Sequence, residues 1–391
     1  MAILFLIVFI DLVGFGVVIP LLPYYALRFD ASPFEVTTMM ACYSLAQFFF
    51  SPLLGRVSDR FGRRPVLLTS LVFSVAAYLW LGLAGALWML FAARLLAGVG
   101  AGNIAAAQAY IADVTTPENR AKGMGMIGAA FGLGFTVGPA LGGLVAGSHP
   151  DAAALARPAF IAAGLSALAF LIALLRLKES LPPEVRHAST RPGRLAIAKS
   201  ALRRPALGRL ILLLFVAGCA FAGMETTFAL WANASFGWGP MQVGWIFFYV
   251  GVVLAALQGG LIGRLAKRYG EARLVTAGSA VIALGLLGLA LAQGLWAVLL
   301  ASGFLAIGMG LLNPSVTSLV SRQALADERG GIMGVSQSAS SLARILGPAV
   351  AGAVFTFWGR NAPYYLGALV MVAVVALALK LPRREVEAPA Q

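Results

Sequence analysis

The chain has 391 residues, of which 60% are hydrophobic and only 11% charged, with a mean hydropathy of +0.88. A soluble domain of that composition carries more apolar surface than one core can hide, so the sequence predicts an all-α integral membrane protein. The formal net charge of +14 does not indicate a nucleic-acid partner, because the cations gather in the loops on one side of the predicted spans.

Windows of about twenty residues give twelve spans, at 3–27, 35–55, 65–84, 86–109, 122–146, 157–177, 208–232, 240–263, 273–292, 294–319, 331–356 and 361–380. Period-two alternation with regular turns is absent, which argues against a β-barrel. The first apolar stretch runs on past Pro20 and Pro23 without a small-residue cleavage site, and so reads as a span, not a removable leader. Sorted by loop, 24 of the 29 Lys and Arg fall on one side; Arg28, Arg157 and Arg360 fall on the other, and Arg94 and Arg344 lie within spans. The positive-inside rule then predicts both termini in the cytoplasm, with anionic lipid headgroups as partners of the basic loops.

Span one carries Asp11 about three turns in, within Asp11-Leu-Val-Gly14-Phe-Gly16-Val-Val-Ile-Pro20. An unpaired charge at that depth costs ~2.5 kcal/mol or more, so Asp11 must face water or a partner. It reads as a proton carrier or as an acid that binds substrate without releasing protons. Between spans two and three comes a charged knot, Gly55-Arg-Val-Ser-Asp59-Arg60-Phe-Gly62-Arg63-Arg64, which must form a tight turn in water or headgroups. Asp59 is expected near the start of span eleven, if the halves pack about a pseudo-twofold axis, where it can accept bonds from that helix N-terminus, and Arg63 is expected to pair with Asp113 at the end of span four. Arg94, in Arg94-Leu-Leu-Ala-Gly98-Val-Gly100 of the same span, must likewise face water or a partner, and reads on its own as a structural cation bonded to carbonyls. Span five holds Gly134, Gly138, Pro139, Gly142 and Gly143; the glycines permit close helix contact and Pro139 permits a kink.

Residues 178–207, rich in Pro and Arg, read as a linker with a short surface helix. Glu225 in span seven, beside Met224 and aromatics, suits a cationic or amphipathic ligand or a hydrated site near the mouth. Arg344 in span eleven reads as a counter-charge for Asp11 or Glu225. Tyr43, Gln47, Asn103, Gln108, Gln258, Asn313 and Gln337 supply neutral hydrogen bonding, to a cavity or to kinked backbone. Cys42 and Cys219 lie inside spans, where a thiol packs as a small apolar group, so neither a disulfide nor a metal is expected.

The chain repeats itself. Gly138-Pro139-Ala-Leu-Gly142 returns as Gly347-Pro348-Ala-Val-Ala-Gly352, and Gly55 and Gly62 return as Gly263 and Gly270. Two six-span halves follow, 1–177 and 208–391, joined by 178–207. In the second half the positions of Asp59 and Asp113 hold Lys267 and Arg322, so no copy of the first charged knot is expected there.

The loop pattern Gly-x-x-x-Asp-Arg-x-Gly-Arg-Arg resembles the signature of the major facilitator superfamily. With 11–23, 94–143 and 341–352 it is similar to twelve-span drug:proton antiporters, nearest the tetracycline-efflux branch. The resemblance implies two pseudo-symmetric six-helix bundles and a conformational latch at Gly55, Asp59, Arg60, Gly62, Arg63, Arg64 and Asp113. It also implies proton coupling around Asp11 and Arg94, joined here by Glu225 and Arg344, and an antiporter motif in span five. Function follows as rocker-switch exchange of an amphipathic small molecule for protons in a bacterial inner membrane, by a monomer without a cofactor. Tetracycline exporters use a histidine in span eight and an acid in span nine; here 240–263 has no histidine and 273–292 no acid, which argues against tetracycline as cargo. A carrier of metabolites, sugars or lipid-like molecules and a non-transporting scaffold are the other readings. No Ser-His-Asp, metal-ligand or phosphate-loop constellation points to an enzyme, and His149 and His187 fall in loops.

Overall fold

The structure, a computed structural model, describes residues 2–101, 103–181, 200–201, 203–324 and 328–381. Most of the linker, with the surface helix expected there, lies outside the described residues. Among those described, nine helices are long and apolar enough to cross a membrane. They are span one (Ala2–Leu27), span three (Arg63–Gly82), span five (Pro117–Ala146), span six (Ala152–Arg176), span seven (Pro205–Phe236), span eight (Pro240–Tyr269), span nine (Glu271–Ala290), span ten (Leu295–Gln323) and span eleven (Arg329–Trp358). Span two (Pro33–Phe61), span four (Leu87–Gly100 and Asn103–Val114) and span twelve (Ala362–Ala378) complete the order. The chain is an integral membrane protein, and the described residues contain no strand.

Helices outlast the apolar windows because the backbone ladder continues through polar turns. Span two starts at a capping box, in which Ser32 and Glu35 exchange bonds around Pro33. It runs through Arg56, Asp59 and Arg60 to Phe61, well past its apolar stretch, and stops at Gly62, whose φ of +107° reverses the chain into span three. Span eight ends likewise at Gly270, φ +79°. In span one, Pro20 and Pro23 lack N–H groups, and the helix passes through a 3₁₀ turn at Ile19–Leu21 before resuming. Span eight contains a π turn, Leu257–Leu261, around Gln258.

The chain separates into two compact units, residues 1–190 with 229–248 and residues 191–228 with 249–391. The core of the first is built from Leu4, Ile7, Leu67, Leu71, Ile111, Ala130 and Ala169 of spans one, three, four, five and six. Glycine brings its helices together: a Cβ on Gly138 would stand 2.6 Å from Gly16 Cα, and one on Gly134 2.7 Å from Leu12 Cβ. The hairpin 229–248 packs on the same unit, with Tyr24 Oη donating to Trp238 O at 2.9 Å and Met241 N to Gly147 O at 3.2 Å. In the second unit, Gly278 meets Gly308 where spans nine and ten cross, and Gly347 of span eleven sits on Cys219 of span seven.

All seven tryptophans, Trp80, Trp88, Trp231, Trp238, Trp245, Trp296 and Trp358, lie at or near the span ends opposite the basic loops. Amphipathic indoles collect at membrane interfaces, and Trp80, Trp88, Trp245, Trp296 and Trp358 are exposed there, whereas Trp231 is buried in the protein.

Candidate functional site

The turn at Gly62 folds Arg63, the first residue of span three, back onto the last turn of span two. Its Nη1 donates to Asp59 Oδ1 at 2.5 Å and to Ser58 Oγ at 3.1 Å, and its Nε donates to Asp113 Oδ2 at 3.0 Å. Arg63 is 8% exposed. One guanidinium thus holds two carboxylates from spans two and four, using the forked geometry that lysine lacks. Around this bridge Arg64 Nη2 donates to Leu174 O at 2.8 Å at the end of span six, Arg60 lies over the Phe61 ring at 5.4 Å, and a Cβ on Gly55 would meet nothing within 4 Å. Sequence reasoning passed over Glu179 and Ser180, which also touch the bridge. Their polar groups bind backbone N–H groups and Asp113, and no spacing rule flags an acid just beyond a span.

The second unit contains a sign-reversed counterpart. Arg322 Nη2 lies 2.6 Å from Glu271 Oε1, which also accepts from Ser318 Oγ at 3.2 Å. By the internal repeat, Glu271 stands in the register of Arg63, Arg322 in that of Asp113 and Lys267 in that of Asp59. The ion pair recurs with its charges exchanged. Glu271 was missed at the sequence level, although the repeat points to it. Because Arg322 is largely exposed, the pair contributes about 1 kcal/mol at most. Reversing either residue alone, Glu271→Arg or Arg322→Glu, is expected to lower the melting temperature in detergent by about 2 °C, and the double swap to restore it. A double swap no better than the single changes would show that the pair does not set the sign.

Inside the span region the first unit buries two opposite charges. Arg94 is 4% exposed. Gly98, one turn on, packs directly on Tyr43 O, bringing span two close enough for the Tyr43 ring to lie 4.6 Å from the Arg94 guanidinium carbon. Phe15 lies 5.7 Å from that carbon, tilts on Tyr43 at 4.9 Å and meets Phe135 edge-on at 5.6 Å. Among the described residues Arg94 Nε has no hydrogen-bond partner, and the Tyr43 and Phe15 rings lie against the guanidinium. Asp11, 7% exposed, accepts from Ser166 Oγ of span six at 3.1 Å. In the second unit Arg344 is the charged neighbour of Glu225, and its Nη2 donates to Ser341 Oγ at 3.1 Å.

The span-five glycines divide their faces. Gly134, Gly138 and Gly142 seat span one, whereas Gly143 and Pro139 receive span eight: a Cβ on Gly143 would stand 2.6 Å from Pro240 O, and Gly244 packs directly on Pro139 O. Of the neutral candidates, Tyr43 covers Arg94 and Gln47 is half-buried. Gln108, Asn313 and Gln337 are exposed on their helices, as is Gln258, which occupies the π turn, a distortion often found at functional positions. The Asn103 side chain lies outside the described residues. No group of three or more metal-binding side chains occurs among the described residues.

Apolar helices in series, a charged bridge at their basic ends and isolated buried charges define a polytopic membrane transport protein rather than an enzyme. The chain belongs to the Major Facilitator Superfamily, which it matches over residues 4–262 and again over 228–391. It is 32% identical over 381 residues to the class C tetracycline resistance protein of Escherichia coli, covering 94% of this chain and 93% of that protein. It is 29% identical to multidrug resistance protein 2 of Bacillus subtilis (strain 168), covering 98% and 95%. Among solved structures it superposes on the human organic anion transporter MFSD10 (TETRAN) with a TM-score of 0.72 and 26% identity over 96% of this chain and 98% of that one. The nucleoside transporter NupG, at TM-score 0.78 and 14% identity over 97% and 98%, shares the fold.

Proposed function

We propose that the protein is a secondary active transporter that exports amphipathic small molecules in exchange for protons, by rocker-switch alternating access. The observation that carries this reading is the buried Asp11–Ser166 contact. A serine hydroxyl donates to a carboxylate and accepts from a carboxylic acid, so the site accommodates Asp11 in either protonation state without leaving a buried polar group unmatched. A proton-exchanging site inside a membrane needs that property. Two bundles, 1–177 and 208–391 joined by 178–207, move against each other, and Asp59, Arg63 and Asp113 form a latch at the basic end.

The tetracycline and multidrug relatives span nearly the whole chain and support drug efflux. Without a histidine in 240–263 or an acid in 273–292, a lipophilic cation facing Glu225 suits the chain better than a metal-chelated tetracycline. The protein works as a monomer in a bacterial inner membrane with both termini in the cytoplasm. The arginine loads of the basic loops, including Arg60 beside Phe61 and Arg268 beside Tyr269, face anionic headgroups.

The test is reconstitution with a pH-sensitive dye trapped in liposomes. Adding a lipophilic cation is expected to move protons in the native protein; Asp11→Asn is expected to abolish that movement while leaving substrate counterflow. Efflux by Asp11→Asn with an unchanged pH dependence would remove Asp11 from the carrier role, and saturable flux with no proton movement in the native protein would make it a facilitator.

A further inference from the structure

Glu179 lies three residues beyond span six, where the linker begins. Its Oε1 accepts from Arg63 N at 2.8 Å, Ser180 N at 3.0 Å and Leu181 N at 3.1 Å, and its Oε2 accepts from Arg64 N at 3.1 Å. Arg63 and Arg64 open span three, so their N–H groups have no partner within the helix and form its positive end. Burial pushes the Glu179 carboxyl up, but the N–H groups of Leu181, Arg63, Arg64 and Ser180 outweigh it and hold the group below the usual carboxylate range. Gly62 fits the same arrangement: a Cβ there would overlap Glu179 Oε2. The next residue extends the contact, since Ser180 Oγ donates at 3.1 Å to Asp113 Oδ2, the oxygen that also takes Arg63 Nε.

Arg63 is therefore gripped twice, by its side chain on Asp59 and Asp113 and by its backbone on Glu179. We infer that Glu179 is a positioning residue of the charged bridge: it holds the first turn of span three where Arg63 can span both carboxylates, and with Ser180 it ties the linker root to that bridge. The inference rests on the reading of Asp59, Arg63 and Asp113 as a latch. It makes the linker a mechanical input, because displacing residues 179–180 removes the backbone grip on Arg63 and one donor to Asp113 together.

Counterflow and gradient-driven transport in proteoliposomes test it, with Glu179→Ala, Glu179→Gln, Ser180→Ala, Arg63→Ala and the Arg63→Ala/Glu179→Ala double variant. Glu179→Ala is expected to lower the maximal rate about tenfold with little change in KM, the pattern of a perturbed conformational step and not of lost substrate contacts. The double variant is expected to be no slower than Arg63→Ala alone, because both changes act through one bridge. If Glu179→Ala is not recovered folded, Glu179→Gln, which keeps the size and one acceptor but loses the charge, is read in its place. A lowered melting temperature with a normal rate per folded molecule would make Glu179 a helix cap only and overturn the inference, as would rate losses that multiply in the double variant. Normal transport by Arg63→Ala would overturn the latch and this inference with it; an impaired Arg63→Ala beside a normal Glu179→Ala and Glu179→Gln would overturn this inference alone.

Discussion

Arg63→Ala is expected to reduce transport in proteoliposomes by about a hundredfold while the protein still inserts and elutes as a single species. Removing one partner of a largely buried ion pair costs about 3–5 kcal/mol, since the remaining charge has lost its compensation. Here two carboxylates are left, Asp59 and Asp113, previously held by Nη1 at 2.5 Å and Nε at 3.0 Å of one guanidinium. That energy approaches the roughly 5.5 kcal/mol that carries an equilibrium between two conformations from one extreme to the other, so its loss is expected to appear as a stalled cycle. Arg63→Lys is expected to recover only part of the rate, because a single ammonium cannot reach both carboxylates with the forked geometry. Asp59→Asn tests the same bridge from the other side. Counterflow by Arg63→Ala or Asp59→Asn at the native rate would remove the bridge from the transport cycle.

At Arg94 two substitutions separate packing from charge. Arg94→Ala leaves a void beneath Tyr43 and Phe15 and is expected to cost about 3 kcal/mol of stability, seen as a lowered melting temperature in detergent. Arg94→Met refills the space with an unbranched side chain and relieves the desolvation of a cation that is 4% exposed, so its melting temperature is expected to match or exceed that of the native protein. Both variants are expected to lose proton-driven transport, Arg94→Met by about a hundredfold. If Arg94→Met transports normally, the guanidinium is only a space-filling cation held by aromatic faces, and proton coupling lies elsewhere.

Much of this architecture is legible in the residues themselves. Twenty apolar side chains in a row cannot be placed anywhere but across a bilayer, so the twelve spans stand where hydropathy puts them. Their ends do not, because span two continues as helix through Arg56, Asp59 and Arg60, where apolarity has already stopped. The pairing of Arg63 with Asp113 was assignable because charge in a tight turn between spans has few possible partners, whereas the Arg63 side chain as a partner of Asp59 came from the structure. Arg94 was visible as an anomaly, and Gly98 as a point of close approach, but what approaches is a fact of three dimensions: the Tyr43 and Phe15 rings come from two other helices. Glu271 could have been read from the internal repeat, which places it opposite Arg63 in register and in sign. Glu179 could not, since it binds backbone N–H groups that every residue carries and that leave no mark in the alphabet of side chains.

The tryptophans give the protein an optical polarity. With all seven indoles at or near the span ends opposite the basic loops, its intrinsic emission arises toward one surface of the bilayer. A water-soluble quencher confined to one side of a sealed vesicle therefore dims the exposed indoles or leaves them bright according to which way the chain was inserted, while Trp231, 1% exposed, emits in both cases; an unlabelled sample carries its own record of orientation.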